Sequence, residues 1–105
     1  MLRTDHQRRS KLQEKRAAKD YNGTVTPGSG NGWKHKADVH SSEFLIECKT
    51  TTKQSYILKL ADLKKLYYQA VIENKIPVFE IEFGDMTFVV LDKNDFLANS
   101  DGFSS

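Results

Sequence analysis

One cysteine, two prolines and one tryptophan are all that 105 residues contain of those types, and no apolar run approaches a membrane span. Each scarcity excludes something. With Cys48 alone there is no internal disulfide and no cysteine-based zinc cluster, a usage that fits a reducing, intracellular setting. A bilayer-spanning helix needs about 20 consecutive apolar residues, so the chain is not expected to cross a membrane. The opening stretch MLRTDHQRRSKLQEKR lacks the apolar segment of a secretion signal. It is arginine-rich like a transit peptide, but it is not serine-rich and carries Asp5 and Glu14. The expected location is cytoplasmic.

The hydrophobic share of 38% and charged share of 29% fit a globular protein. A chain this long supports one modest core, so residues 1–105 are expected to form a single domain with loose ends at 1–4 and 99–105. The formal net charge of +2 hides a division. Residues 1–36 hold nine Lys and Arg against three acids, whereas residues 37–105 hold seven against eleven. A basic first third points to a polyanionic partner, because neutralised phosphates dominate non-specific nucleic-acid affinity. Charge alone does not separate that reading from a solvated, charged helix.

Residues 5–20 lack Gly and Pro and read as a helix capped by Thr4 or Asp5. Its less charged face carries Glu14, Ala17, Ala18 and Tyr21, which turns Glu14 toward the protein. A short strand over 23–26 leads into the open, glycine-rich loop PGSGNGW. Strands follow near 37–40 and 43–49, joined through Ser41 and Ser42, and QSYILK at 54–59 reads as a further edge strand. Residues 60–75 form a helix with the stripe Leu63, Leu66, Tyr67, Ala70 and Val71, ended by Pro77. VFEIEF and MTFVVL read as a hairpin turning at Gly84-Asp85, and 92–98 as one or two helical turns. The order αββββαββα gives a single α/β domain with a central mixed sheet flanked by helices.

The charges inside this pattern carry the chemistry. On a strand, Glu47 and Lys49 project to one side about 6.5–7 Å apart. Phe44, Ile46 and Cys48 take the other side, so one face is expected to pack and one to work. Asp38 falls beside Glu47 if the strands pair through the short serine connection. Two carboxylates beside a lysine suit phosphodiester hydrolysis: the acids hold Mg²⁺, a hard cation that takes oxygen ligands, and the cation polarises the phosphoryl oxygen and activates water. Lys49 would position that water or offset charge on phosphorus, and Glu14 would bind the metal or one of its waters. A Glu-x-Lys in so charged a chain also arises as a plain surface ion pair. The added Asp38, the Gly/Ser loop and the inward Glu14 make the combination more specific than its parts.

Taken together, Glu14, GSGNGWKHKADV and FLIECKTT resemble the PD-(D/E)xK nuclease superfamily over roughly residues 10–83. The arrangement is similar to archaeal-type Holliday junction resolvases and small phage or prophage relatives. The resemblance implies a restriction-endonuclease-like fold, dependence on Mg²⁺ with Mn²⁺ as a substitute, and a homodimer acting on branched DNA. It implies Glu14, Asp38, Glu47 and Lys49 as catalytic residues, with Asp38, Glu47, Glu14 and the Cys48 backbone carbonyl around the metal. The loop Gly28-Ser29-Gly30 matches the family's Gly-Ser-Gly, which makes Ser29 and Gly30 phosphate contacts. Ala37 stands where many relatives have proline.

Other residues have two readings each. Lys34, Lys36, Lys53, Arg8 and Arg9 are candidate DNA contacts or solvated cations. Trp33 would stack on a base or fold back on the core. Gln69, near the apolar stripe of the second helix, is a candidate accessory residue. His35 and His40 flank the Asp38 strand without metal spacing. The function expected is a metal-dependent endonuclease, most specifically a Holliday junction resolvase. The alternatives are a nicking or repair endonuclease without junction preference, or a DNA-binding module without activity.

Overall fold

The computed structural model describes residues 4–27 and 37–99. Helix α1, Asp5–Asp20, begins at a capping box: Gln7 N–H donates to Thr4 Oγ1 at 3.1 Å and Thr4 N–H donates to Gln7 Oε1 at 2.9 Å. Thr4 is therefore part of the fold rather than a loose end. After α1 come β1, Thr24–Val25; β2, Val39–His40; β3, Phe44–Thr51; α2, Leu60–Glu73; β4, Ile76–Phe83; β5, Met86–Val90; and α3, Lys93–Ala98. Gly23 is needed where it stands, since a Cβ there would lie 2.4 Å from the His40 carbonyl oxygen.

The five strands lie in chain order, β1-β2-β3-β4-β5. Every neighbouring pair is antiparallel except β3 and β4, which run parallel and are joined by the α2 crossover. That one parallel pair makes the sheet mixed; its crossover helix α2 covers one face and α1 covers the other. Against one face, Ala17 of α1 packs with Val39, Ile46, Cys48 and Val78. Against the other, Leu66 and Ala70 of α2 pack with Ala37, Leu45, Phe79 and Ile81. The molecule is an α/β domain with a five-stranded mixed sheet flanked by helices, as the sequence pattern leads one to expect.

Four local expectations are corrected. Residues 54–59 form no strand; Tyr56 and Leu58 instead lie over the α2-side core, so the order is αβββαββα. Only Tyr56 and Leu58 turn toward that core, while Ile57 between them is 80% exposed. Strand β3 does not divide into one packing and one working face, because Leu45, Ile46, Glu47 and Cys48 are all buried. A central strand with a parallel partner is covered on both sides. Helix α2 stops at Asn74, which is left-handed at φ 56°, while Pro77 lies inside β4 opposite Leu45. Finally, Tyr67 and Val71 are largely exposed, so the inward stripe of α2 narrows to Leu66 and Ala70 with Leu63 partly buried.

Candidate active site

The register of β2 on β3 pairs Val39 with Ile46 and His40 with Leu45. Carried one residue on, it sets Asp38 opposite Glu47. The structure fixes this juxtaposition twice: Asp38 Oδ2 accepts the Cys48 backbone N–H at 2.9 Å, and the Asp38 backbone bonds the Glu47 carboxylate. Lys49 Nζ lies 3.7 Å from Glu47 Oε2. Glu47 is only 6% exposed and has Phe79 as its neighbour on β4. Burial in that apolar setting, then the negative charge of Asp38, push its carboxyl up to about 7, with Lys49 opposing.

Glu14 reaches the same region from α1. It is buried at 8% exposure, and burial followed by the charge of Asp38 raises its carboxyl above the usual range, while Lys11, 3.6 Å away, opposes the rise. Asp38 is thus the acid that both glutamates feel. Acids crowded in this way disfavour each other's charge, and a cation among them would relieve that cost. Among the described residues no three or more His, Cys, Asp and Glu side chains gather as a metal site. A cation would rest on the Asp38 and Glu47 carboxylates, and a pair of carboxylates with water filling the remaining positions suits Mg²⁺. The residues fit the group.

Cys48 is a buried core residue whose thiol is pushed up by burial and by the surrounding acids, Glu80 foremost. Lys53 is exposed just beyond β3, its N–H held by Thr51 Oγ1 at 3.0 Å. Arg8 is exposed on α1 and lies 3.8 Å from Asp5; Arg9 is half-buried. The Gln69 amide donates to Glu73 Oε2 at 3.0 Å along its own helix. His40 Nδ1 sits 3.0 Å from Thr26 Oγ1, part of the β1–β2 contact. Ser29, Gly30, Trp33, Lys34, His35 and Lys36 lie outside the described residues.

Sequence reasoning missed Tyr56. It contacts Phe79 with ring centroids 6.4 Å apart and is coupled electrostatically to Lys49 and Glu47. It also missed the buried polar set Gln13, Thr50, Glu80 and Glu82 on the α1 side of the sheet. Alternation in FEIEF marks those glutamates as one face, but nothing local shows that α1 will cover it.

No protein-family model and no curated protein matches the chain. Among solved structures it is similar to Hjc of Archaeoglobus fulgidus, a Holliday junction resolvase from an archaeal hyperthermophile. The TM-score is 0.62 at 12% identity, over 74% of this chain and 72% of Hjc. At that identity the likeness is one of fold, and the fold is that of the restriction-endonuclease-like α/β domains. Among the described residues no helix is long and apolar enough to cross a membrane.

Proposed function

We propose that this chain is a divalent-metal-dependent endonuclease that hydrolyses DNA phosphodiester bonds, with branched, four-way DNA as its preferred substrate. The observation that carries the reading is the meeting of Asp38, Glu47 and Lys49 across β2 and β3, on a fold shared with a Holliday junction resolvase. Asp38 and Glu47 would hold Mg²⁺ or Mn²⁺, and the Cys48 carbonyl could add a further oxygen. When bound, the cation supplies Lewis acidity to the phosphoryl oxygen and favours deprotonation of water. Lys49, whose side chain is 39% exposed, reaches the phosphate and offsets the charge that builds as water attacks phosphorus and the P–O bond breaks. Glu14, buried close to Asp38, would bind the metal or hold one of its waters. The basic α1 residues Arg8 and Arg9, Lys53 after β3, and Ser29, Gly30, Lys34 and Lys36 contact the flanking phosphates, with Trp33 stacking on a base or sugar.

The test is a panel of four-way junction, nicked duplex and linear duplex, with and without Mg²⁺. Paired, symmetrical cuts in the junction arms that depend on the cation are expected. Equal cutting of linear duplex and junction would leave a nicking or repair endonuclease. Binding without cutting in Mg²⁺ or Mn²⁺ would leave the inactive DNA-binding module.

Paired cuts require two sites, and the reading includes a homodimer. What supports it is the apolar surface on the side of the sheet away from β1. Leu60, Tyr68, Val71 and Ile72 of α2 are 59–85% exposed, and Met86 and Phe88 of the edge strand β5 are more than half exposed. A groove of about 360 Å³ runs beside them, lined by Leu63, Tyr67, Phe79 and Val90. So much clustered apolar surface marks an interaction face, and Lys64 and Asp92 on its walls suit a twofold contact in which each meets the other. Sedimentation of the unaltered chain is expected at twice 12.0 kDa. Tyr68→Glu with Ile72→Glu is expected to sediment as a monomer with unchanged helix content and to nick one junction strand instead of cutting a pair. A double variant that stays dimeric would move the interface elsewhere.

A further inference from the structure

The most polar buried region of the molecule lies outside the carboxylate site, between α1 and β4. Helix α1 buries three residues, Gln13, Glu14 and Ala17, so its only fully buried apolar side chain is a single methyl group. Ala18 and Tyr21 add partly buried contacts toward its last turn. Apolar packing of this kind is non-directional and tolerates rotation of the helix about its own axis. The directional contacts come from elsewhere. Gln13 Nε2 donates to both the carbonyl oxygen and Oε2 of Glu80, each at 3.3 Å. One turn along, Arg16 forms an ion pair with Glu82 Oε2, and Glu82 Oε1 accepts from Thr50 Oγ1 at 3.1 Å.

The spacing matches on both sides. Gln13 and Arg16, three apart on a helix, share a face; Glu80 and Glu82, two apart on a strand, share the face beneath it. Two bonded pairs fix both the rotation and the slide of α1, where one would fix neither. Glu14 follows Gln13 directly, about 100° around the helix, so wherever Gln13 is held Glu14 is carried with it. Buried polar and ionic pairs contribute little net stability for their desolvation cost. Four polar residues sealed at 1–7% exposure therefore call for a role besides holding the helix down.

We propose that Gln13–Glu80 and Arg16–Glu82–Thr50 form a clamp that sets the rotation of α1 and so places Glu14 beside Asp38. Gln13 and Arg16 are positioning residues; neither touches the phosphate. The inference rests on the nuclease reading for its effect on cutting, and on geometry alone for its effect on the helix.

The experiment uses the full chain with Gln13→Leu, which keeps the bulk and removes both hydrogen bonds, and with Arg16→Ala, whose side chain is half exposed; far-ultraviolet circular dichroism first confirms that each variant is folded. Residual dipolar couplings of backbone amides report the helix directly. Those of α1 are expected to change in both variants while those of β3 and β4 stay. Junction cutting in Mg²⁺ is expected to fall ~10- to 100-fold, as for a small misplacement of a reacting group, with junction affinity measured in Ca²⁺ unchanged. In a Glu14→Gln background the same substitutions are expected to cause no further loss, because the clamp acts through Glu14. Unchanged α1 couplings would overturn the clamp whether or not the chain cuts DNA. Equal losses in both backgrounds would overturn its action through Glu14. An unaltered chain that cuts none of the substrates would sink the nuclease reading, with the couplings still deciding the clamp.

Discussion

Glu47→Gln is expected to make the protein more stable above neutral pH and to abolish strand cutting. The Glu47 carboxyl is raised to about 7 by burial and by Asp38, whereas in the unfolded chain it keeps its ordinary value of 4.5. Below pH 4.5 both states are protonated and the group contributes no pH dependence. Between 4.5 and about 7 the folded state holds a proton that the unfolded state has lost, so stability falls as pH rises. Above about 7 the full cost of the buried charge is in place, roughly 1–3 kcal/mol, with the opposition of Lys49 already contained in the shift. Glutamine removes that cost. Melting of the two chains should coincide near pH 4 and diverge by about 5–15 °C at pH 8 without divalent cation. Mg²⁺ should raise the melting temperature of the unaltered chain and leave the variant unmoved. Cutting should fall at least ~10²–10³-fold, since a group that stabilises developing charge is lost. A variant less stable than its parent at pH 8 would mean that Lys49 and the Asp38 backbone outweigh burial, and the strain assigned to this site would be absent.

That trade, once measured, would set Glu47 apart from a surface ion pair. An exposed Glu–Lys pair costs almost nothing to keep and almost nothing to remove. Here the partner lysine is partly exposed while the acid is sealed against Phe79, so the pair is asymmetric and the acid carries the expense. Such an expense persists where function requires it.

How much of this was legible follows from how local each signal is. The charged run of α1, the Gly84 turn at φ 61° and the β4–β5 hairpin are written in neighbouring residues and were read directly, while the cap stayed open between Thr4 and Asp5. The pairing of Asp38 with Glu47 was also legible, because a short serine connection leaves few registers open. Strand 54–59 was misread because YILK alternates like an edge strand, while Tyr56 and Leu58 pack on a core completed by Phe79 of β4, some twenty residues further along the chain. Glu80 and Glu82 were hidden for the same reason. A strand reading F-E-I-E-F signals one apolar and one polar face, and only the tertiary packing of α1 makes the polar one buried. The residues of the glycine-rich loop, Ser29 to Lys36, lie outside the described residues, so their assignment stands on motif alone.

Asp38→Asn and Asp38→Ala are expected to agree in activity and part in stability. Asp38 does two separable things. Its charge raises the carboxyls of Glu14 and Glu47, and its Oδ2 receives the N–H of Cys48 at 2.9 Å. Asparagine discards the charge and retains an oxygen for that N–H. With one like charge gone, Glu14 and Glu47 ionise more easily in the folded state, so the Asn chain should match or exceed its parent in urea unfolding at pH 8. Alanine discards both, and a donor in the central strand left without its acceptor costs about 1–3 kcal/mol. The Ala chain is therefore expected below the Asn chain by roughly that amount. Both should lose cutting in Mg²⁺ and Mn²⁺, because one carboxylate cannot hold the cation that two do. Both should also bind junction DNA slightly more tightly than the parent when the divalent cation is withheld, as one negative charge facing the phosphates has gone. Equal stability of the Asn and Ala chains would show that the hydrogen bond to Cys48 carries no weight. Cation-dependent cutting by the Asn chain would remove Asp38 from the metal and leave Glu47 and Glu14 to hold it.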